Sequence, residues 1–274
     1  MTKNLQDLHL KNVGGDSKTV IVTGACRGIG FAVSKVLLRY GCTVILTGRD
    51  KQPPSQVAEL LEKTQAHYYQ CDVSSLASVT ALAQTLKEEA VSIDAVINNA
   101  GVIDPISHLH TSEMDLWTRA IDVNVKGPYL MMRTFLPGMI EQKHGTIVNL
   151  SSGAANSALE GWSHYCASKA AVKKLTEVSQ KELDTLHPDI DVQVIGLSPG
   201  TVATDMMRSI KQSGINPVSA IDWGQHIPPE WVGEAVAFLL SPAGKEFSGT
   251  DFSIKTPEGR RRVGLPCKDA PDKR

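Results

Sequence analysis

Short apolar runs rich in β-branched residues alternate along this chain with longer stretches whose apolar positions recur every third or fourth residue. The runs fall at 19–23, 43–47, 67–71, 95–98, 146–150 and 192–197, with a weaker one at 251–255. Most are apolar at nearly every position, the pattern of strands covered on both faces in a parallel sheet. The stretches at 31–40, 76–89, 114–139, 163–186 and 230–240 carry the helical period. Gly41 directly follows one of them, as a glycine does where a helix stops. Alternation sustained over most of the chain predicts one α/β domain, a doubly wound parallel sheet of about seven strands with helices on both faces. Residues 18–256 are expected to form it, 1–17 being an N-terminal extension and 257–274 a C-terminal tail. No repeat or linker divides the middle. The triplet Arg260-Arg261-Arg262 fits a solvated terminus, or else an arm that packs on a neighbouring subunit.

Composition narrows the class of function. The 274 residues are 42% hydrophobic and 21% charged with a net charge of -1, ordinary for a chain with a buried core. A near-neutral chain is a poor partner for a polyanion, so no nucleic acid is expected. No run approaches the roughly 18 apolar residues that span a bilayer, and the polar start lacks the profile of a secretory signal. Five cysteines, odd in number and without a CxxC pair, suit a reducing cytoplasm, and no cluster has the spacing of a metal site.

The first strand runs into Thr23-Gly24-Ala25-Cys26-Arg27-Gly28-Ile29-Gly30 and then a helix. A strand-to-helix turn at the carboxyl edge of a parallel sheet is where a pyrophosphate binds, because free amides and the helix dipole point there. Gly24 permits the tight turn, Gly28 the approach of backbone to phosphate, and Gly30 the packing of helix on strand. The second strand ends Leu46-Thr47-Gly48-Arg49-Asp50. A carboxylate at its end would select NAD, whereas Gly48 followed by Arg49 favours the 2′-phosphate of NADP, with Arg27 as a second cation. Asp50 keeps the NAD alternative open, since a one-residue shift brings a carboxylate near the ribose.

Tyr165 and Lys169 lie four apart in a helical stretch and so share one face. A tyrosine titrates near ~10, and a neighbouring ammonium stabilises its phenolate. Ser151 and Ser152 close the fifth strand, where a hydroxyl can bond a substrate oxygen or merely cap a turn. Asn98-Asn99-Ala100-Gly101 ends the fourth strand with small residues suited to pass beneath a cofactor ring. Asn124, a poor helix former, interrupts the stretch 114–139, with an amide able to hold a water. Ser198-Pro199-Gly200 ends the sixth strand. His164, beside Tyr165, projects from another part of the helix and is expected at the surface or in packing rather than as a base.

Together TGxxxGIG, NNAG, the helical Asn, the SS pair, YxxxK and PG resemble the short-chain dehydrogenase/reductase family over residues 19–255. The resemblance implies a Rossmann-like fold. It also implies Tyr165 as acid–base, Lys169 as the group that binds the nicotinamide ribose and lowers the tyrosine pKa, and Asn124 as anchor of a proton-relay water. The family spacing selects Ser152, not Ser151, as the residue that orients the carbonyl. It further implies contacts to the cofactor from Asp72 and Val73 (adenine), Asn99, Ala100 and Gly101 (the wall), and Pro199, Gly200, Val202 and Thr204 (the carboxamide or phosphates). The frequent Gly-Gly after the last strand is missing here.

The expected reaction is hydride transfer between NADP(H) and a carbonyl or secondary alcohol of a small molecule, with Tyr165 moving the proton. Residues 206–231 form the expected substrate lid, with Met206, Met207, Ile210, Ile215, Trp223 and Ile227 available to face the pocket and Gly214 and Gly224 as hinges. Trp162 is a further candidate pocket residue. These side chains suit an apolar or aromatic ketone, and equally suit packing of the lid on the core. The stretches 114–139 and 163–186 carry surplus apolar residues, as in a homodimer or homotetramer. The rivals are an NAD-dependent alcohol or sugar dehydrogenase and a dinucleotide sensor without catalysis, which would need the pocket but no acid.

Overall fold

The computed structural model describes residues 18–267. Seven strands, β1 (Thr19–Val22), β2 (Thr43–Gly48), β3 (Ala66–Gln70), β4 (Ala95–Asn98), β5 (His144–Leu150), β6 (Asp191–Ser198) and β7 (Asp251–Ser253), form one sheet in the order β3-β2-β1-β4-β5-β6-β7. Every pairing is parallel. The expected fold is therefore present, with strand ends displaced by only one or two residues.

The apolar runs work as expected. Val20 and Val22 point to one face of the sheet and Ile21 to the other, and none of the three is exposed. On the first face pack α1 (Gly28–Arg39), α2 (Ser55–Lys63) and α8 (Pro229–Leu239), through Val33, Leu37, Val57 and Val236 among others. On the second lie α3 (Leu76–Glu88), α5 (Gly127–Glu141) and α6 (Ser163–Leu186), anchored by Leu82, Leu86, Met131, Phe135 and Leu183. α2 is only 9 residues long and follows Pro53-Pro54, which hid it in the sequence.

The helix expected at 114–139 is split. α4 (Met114–Ile121) leads into a π-turn over Asp122–Lys126, and α5 follows with Pro128 in its first turn. Asn124 lies in that turn. Its side chain is bonded to Val102 in another segment, and proline brings no N–H to the helical ladder, so the regular register is lost at a place where little opposes the bulge.

The sheet order reverses between β1 and β4. There the turn after β1 and the segment after β4 diverge, opening the crevice in which doubly wound sheets bind ligands.

The C-terminal tail is not a solvated end as far as it is described. Residues 257–263 form α9 (Pro257–Val263), capped by the Thr256 hydroxyl accepting from the Gly259 amide at 3.1 Å. The Arg260 guanidinium lies over the Trp231 ring, 5.2 Å from its centroid, and Arg262 pairs with Glu246 at 2.7 Å. Leu265 is buried in the main core at 8% exposure. Arg260 and Arg262 thus reach back to their own domain, while Arg261 and Arg262 are exposed as expected; residues 1–17 and 268–274 lie outside the described ones.

Leu265→Ala is expected to cost about 2 kcal/mol, measured by urea unfolding. Leu186→Ala, at an exposed site, is expected to stay within about 0.5 kcal/mol. Equal, negligible effects would return the tail to solvent.

Candidate active site

Thr23 joins the two walls of the crevice. Its hydroxyl donates to the Ile97 carbonyl at 3.2 Å and accepts from the amides of Asn99 and Ala100, both at 3.0 Å. The Asn99 amide group returns the tie, donating to the carbonyls of Thr23 at 2.8 Å and Gly24 at 3.2 Å. Asn99 and Ala100 are thereby fixed as wall.

The turn that follows can take only glycine where it matters. Gly24 and Gly28 have φ of 61° and 54°. A Cβ on Gly30 would lie 2.5 Å from both Asn99 Nδ2 and the Gly24 carbonyl oxygen. No side chain caps α1, and its first turn holds no acidic residue. A glycine cradle facing an uncapped helix N-terminus is what a pyrophosphate requires, so the residues present fit a dinucleotide. Thr204 stands opposite, its methyl 3.5 Å from where a Gly28 Cβ would be. Ile29 and Val202 put their side chains against the core, and Val73 packs against Gly127, so those side chains are already engaged. Pro199 is buried, and Gly200, at φ 80°, turns the chain beyond β6.

At the end of β2, a Cβ on Gly48 would lie 2.5 Å from Cys26 Sγ and 2.8 Å from Tyr68 Oη. Both atoms end side chains, so a carboxylate there would require Cys26 and Tyr68 to shift. Arg27 and Arg49 are both exposed, and no ion pair among the described residues takes up either. Asp72 accepts from the Ser74 amide at 2.9 Å and the Ser74 hydroxyl at 2.7 Å. Burial would raise its carboxyl, but these bonds and the nearby Arg49 hold it below its ordinary value.

Across the crevice, Tyr165 and Lys169 share a face of α6. Lys169 is buried, and its ammonium donates to the Leu150 carbonyl at 2.6 Å, at the carboxyl end of β5, while Nζ sits 5.6 Å from the Tyr165 ring centroid. Burial pushes the Lys169 ammonium down to about 8 against the pull of Asp251. Burial pushes the Tyr165 phenol up to about 12, partly opposed by a hydrogen bond with Ser152. Ser152 also caps the short 3₁₀ turn Gly153–Asn156, accepting from Ala154 N at 3.2 Å. Ser151 points elsewhere, donating to Asp251 Oδ2 at 3.0 Å.

Three of the four hydrogen-bonding positions of the Asn124 amide are taken: Oδ1 accepts from Val102 N at 2.9 Å, while Nδ2 donates to Val102 O at 2.8 Å and Ser168 Oγ at 3.3 Å. These bonds tie the π-turn to α6 and to the segment beyond Gly101, and leave one lone pair on Oδ1. His164 is fully buried, with Nε2 against the Ile103 carbonyl at 2.7 Å.

The segment expected as a lid contains α7 (Asp205–Ser213), ending at Gly214 with φ 65°. Met207 and Ile210 are buried in a separate apolar cluster with Ile103, Ala154 and Trp162, and Tyr165 and Met206 border it. Trp162 meets the Tyr165 ring edge-on at 5.5 Å, and its buried indole N–H has no partner among the described residues. Ile215 packs at Gly161, and Ile227 joins the main core through a bridge to Val202. Trp223 departs from expectation: it is 37% exposed and lies under the Arg208 guanidinium, centroid distance 5.2 Å, rather than in the cluster. Ile103 and Ala154 are pocket candidates that the sequence did not reveal, because neither belongs to a motif.

The chain matches the short chain dehydrogenase family over residues 18–214. It belongs to that family. An uncharacterized oxidoreductase of Staphylococcus saprophyticus is 32% identical over 228 residues, covering 81% of this chain and 91% of the relative. The NADPH-dependent pterin aldehyde reductase of Arabidopsis thaliana is 30% identical over 226 residues, 82% and 88% of the two chains. Among solved structures, a gluconate 5-dehydrogenase from Burkholderia cenocepacia in complex with NADP and tartrate superposes with a TM-score of 0.79 at 25% identity, covering 89% and 96%. This short chain dehydrogenase is thus an NAD(P)-dependent oxidoreductase acting on alcohol or carbonyl groups, and no helix among its described residues is long and apolar enough to cross a membrane.

Proposed function

We propose that this enzyme transfers a hydride between NADP(H) and a carbonyl or secondary alcohol of a small apolar or aromatic molecule, with Tyr165 moving the proton. The observation that carries the reading is Tyr165 and Lys169 on one face of α6, the lysine anchored on the Leu150 carbonyl. A bound nicotinamide dinucleotide supplies or accepts the hydride. Tyr165, with its phenol held protonated by burial, is the donor to the carbonyl oxygen, and Ser152, bonded to that phenol, orients the same oxygen. Lys169 holds the ribose and, once the cleft is filled, favours phenolate in the oxidative direction. Asn124 keeps the π-turn against α6 and anchors a proton-relay water, a role supported by the lone pair left on its Oδ1.

Gly24, Gly28 and Gly30 with α1 cradle the pyrophosphate; Asp72 and Val73 flank the adenine, and Asn99, Ala100 and Gly101 the rings. Pro199, Gly200, Val202 and Thr204 close the nicotinamide side. Arg27 and Arg49 clasp the 2′-phosphate, a reading supported by the unpaired guanidinium groups and by the glycine where a carboxylate would select NAD. Two of the similar proteins carry NADPH or NADP in their names. The apolar cluster around Trp162, Met207 and Ile210 supports an apolar substrate body, with the Trp162 N–H available to an acceptor on it. Exposed Met114, Tyr129, Val178 and Leu186 on α4, α5 and α6 support homodimer or homotetramer formation. Five free thiols suit a reducing cytoplasm.

A panel of aromatic ketones, diketones and quinones, followed by NADPH absorbance, tests the reaction. Tyr165→Phe is expected to lower turnover by at least ~100-fold while NADPH binds within a few fold, whereas near-normal turnover would take the acid role from Tyr165. Arg27→Ala with Arg49→Ala is expected to weaken NADPH at least ~10-fold relative to NADH in fluorescence titrations; an unchanged ratio puts the 2′-phosphate elsewhere.

A further inference from the structure

Asn98, Asn149, Gly196 and Asp251 stand in register across β4, β5, β6 and β7, so their Cα–Cβ directions share one face of the sheet. It is the face on which α6 lies. The two asparagines are satisfied in sequence, Asn98 Nδ2 donating to Asn149 Oδ1 at 2.8 Å and Asn149 Nδ2 to Thr176 Oγ1 on α6 at 2.9 Å. Gly196 leaves a gap, and the Asp251 carboxylate fills it: a Cβ on Gly196 would lie 2.7 Å from Asp251 Oδ1. Asp251 Oδ2 accepts from the Ser151 hydroxyl at 3.0 Å, while Oδ1 is buried with no hydrogen-bond partner among the described residues.

A carboxylate in such a place is costly unless a cation compensates it. The charged groups that face it are on α6: Lys169, Lys173 and Glu177. Lys173 acts on Asp251 more strongly than Lys169 does, but it also donates to Asn156 Oδ1 at 2.8 Å near the surface, where water shares its charge. Lys169 has the matching problem, being a buried ammonium bonded to a neutral carbonyl, and no ion pair among the described residues includes it. Ser151, which holds the carboxylate, is the neighbour in chain of Leu150, which holds the ammonium.

We propose that Asp251 is the buried counter-charge of Lys169, a positioning residue held by Ser151 that keeps the ammonium charged in the closed site. The proposal deepens the acid–base reading of this site and rests on it for its functional meaning. The electrostatics agree. Burial raises the Asp251 carboxyl while the Ser151 bond, Lys173 and Lys169 lower it, and the same carboxylate works against the burial that depresses Lys169. Removing the negative charge must then let the Lys169 midpoint fall.

The test uses the full chain without cofactor, labelled with ¹⁵N-lysine, the Lys169 signal being assigned by its loss in Lys169→Arg. The midpoint of Lys169 is followed by NMR in the wild type and in Asp251→Asn, which preserves shape and an acceptor for Ser151. A fall of roughly half a pH unit or more is expected, together with an alkaline limb of turnover moved down by the same amount. An unmoved midpoint in a folded variant would overturn the proposal. Should Asp251→Asn not fold, Asp251→Thr carries the test: it suits a strand, offers Ser151 a hydroxyl and removes the charge, so the midpoint again falls if the proposal holds and stays put if it does not. The NMR readout needs no catalysis, so absence of turnover in the wild type would count against the proposed reaction and leave this result standing.

Discussion

A single charge-assisted hydrogen bond, from the Lys169 ammonium to the Leu150 carbonyl at 2.6 Å, sets where the proposed chemistry of this protein would occur. It fastens α6 to the carboxyl end of β5, beside the point where the sheet order reverses. With Lys169 fixed, helical geometry fixes Tyr165 one turn earlier, and Ser152, two residues beyond Leu150 in the chain, comes within reach of the phenol. The same helix is held from its other side by Asn124 through Ser168 and by Trp117, whose indole donates to Ser163 at 3.0 Å. A phenol so braced loses little freedom when it meets a substrate, which is what proton transfer at a defined distance demands.

The opposite wall has its own fastening. Thr23 and Asn99 exchange hydrogen bonds between the ends of β1 and β4, so the glycine turn and the wall segment move as one piece. Glycine occupies the cradle because any side chain on Gly30 would strike Asn99, and glycine ends β2 because Cys26 and Tyr68 already fill the space beside Gly48. The end of β2 lacks a carboxylate, and one placed there would have to displace Cys26 and Tyr68.

The fold was legible because the central strands are covered on both faces and are therefore apolar at almost every position, a signal that needs no knowledge of the partner strand. The site motifs were legible for a related reason: Tyr165 with Lys169, and Gly24 with Gly28 and Gly30, are local patterns whose geometry follows from one helix or one turn. What escaped depends on contacts between distant segments. The use of the Asn124 amide is set by Val102, 22 residues away, and the burial of Asp251 by Ser151, 100 residues away. The polar composition of the tail gave no sign that Arg260 would cover Trp231 and Leu265 enter the core. Trp223 has the composition of a pocket residue, yet a cation–π contact with Arg208 keeps it at the surface.

Turnover of Lys169→Met at saturating NADPH tests this account most directly, since methionine replaces the buried ammonium with an unbranched apolar chain while leaving Tyr165 and Ser152 in place. The account predicts a loss of at least ~100-fold in carbonyl reduction with the fold retained by circular dichroism. Turnover within a few fold of the wild type would contradict it.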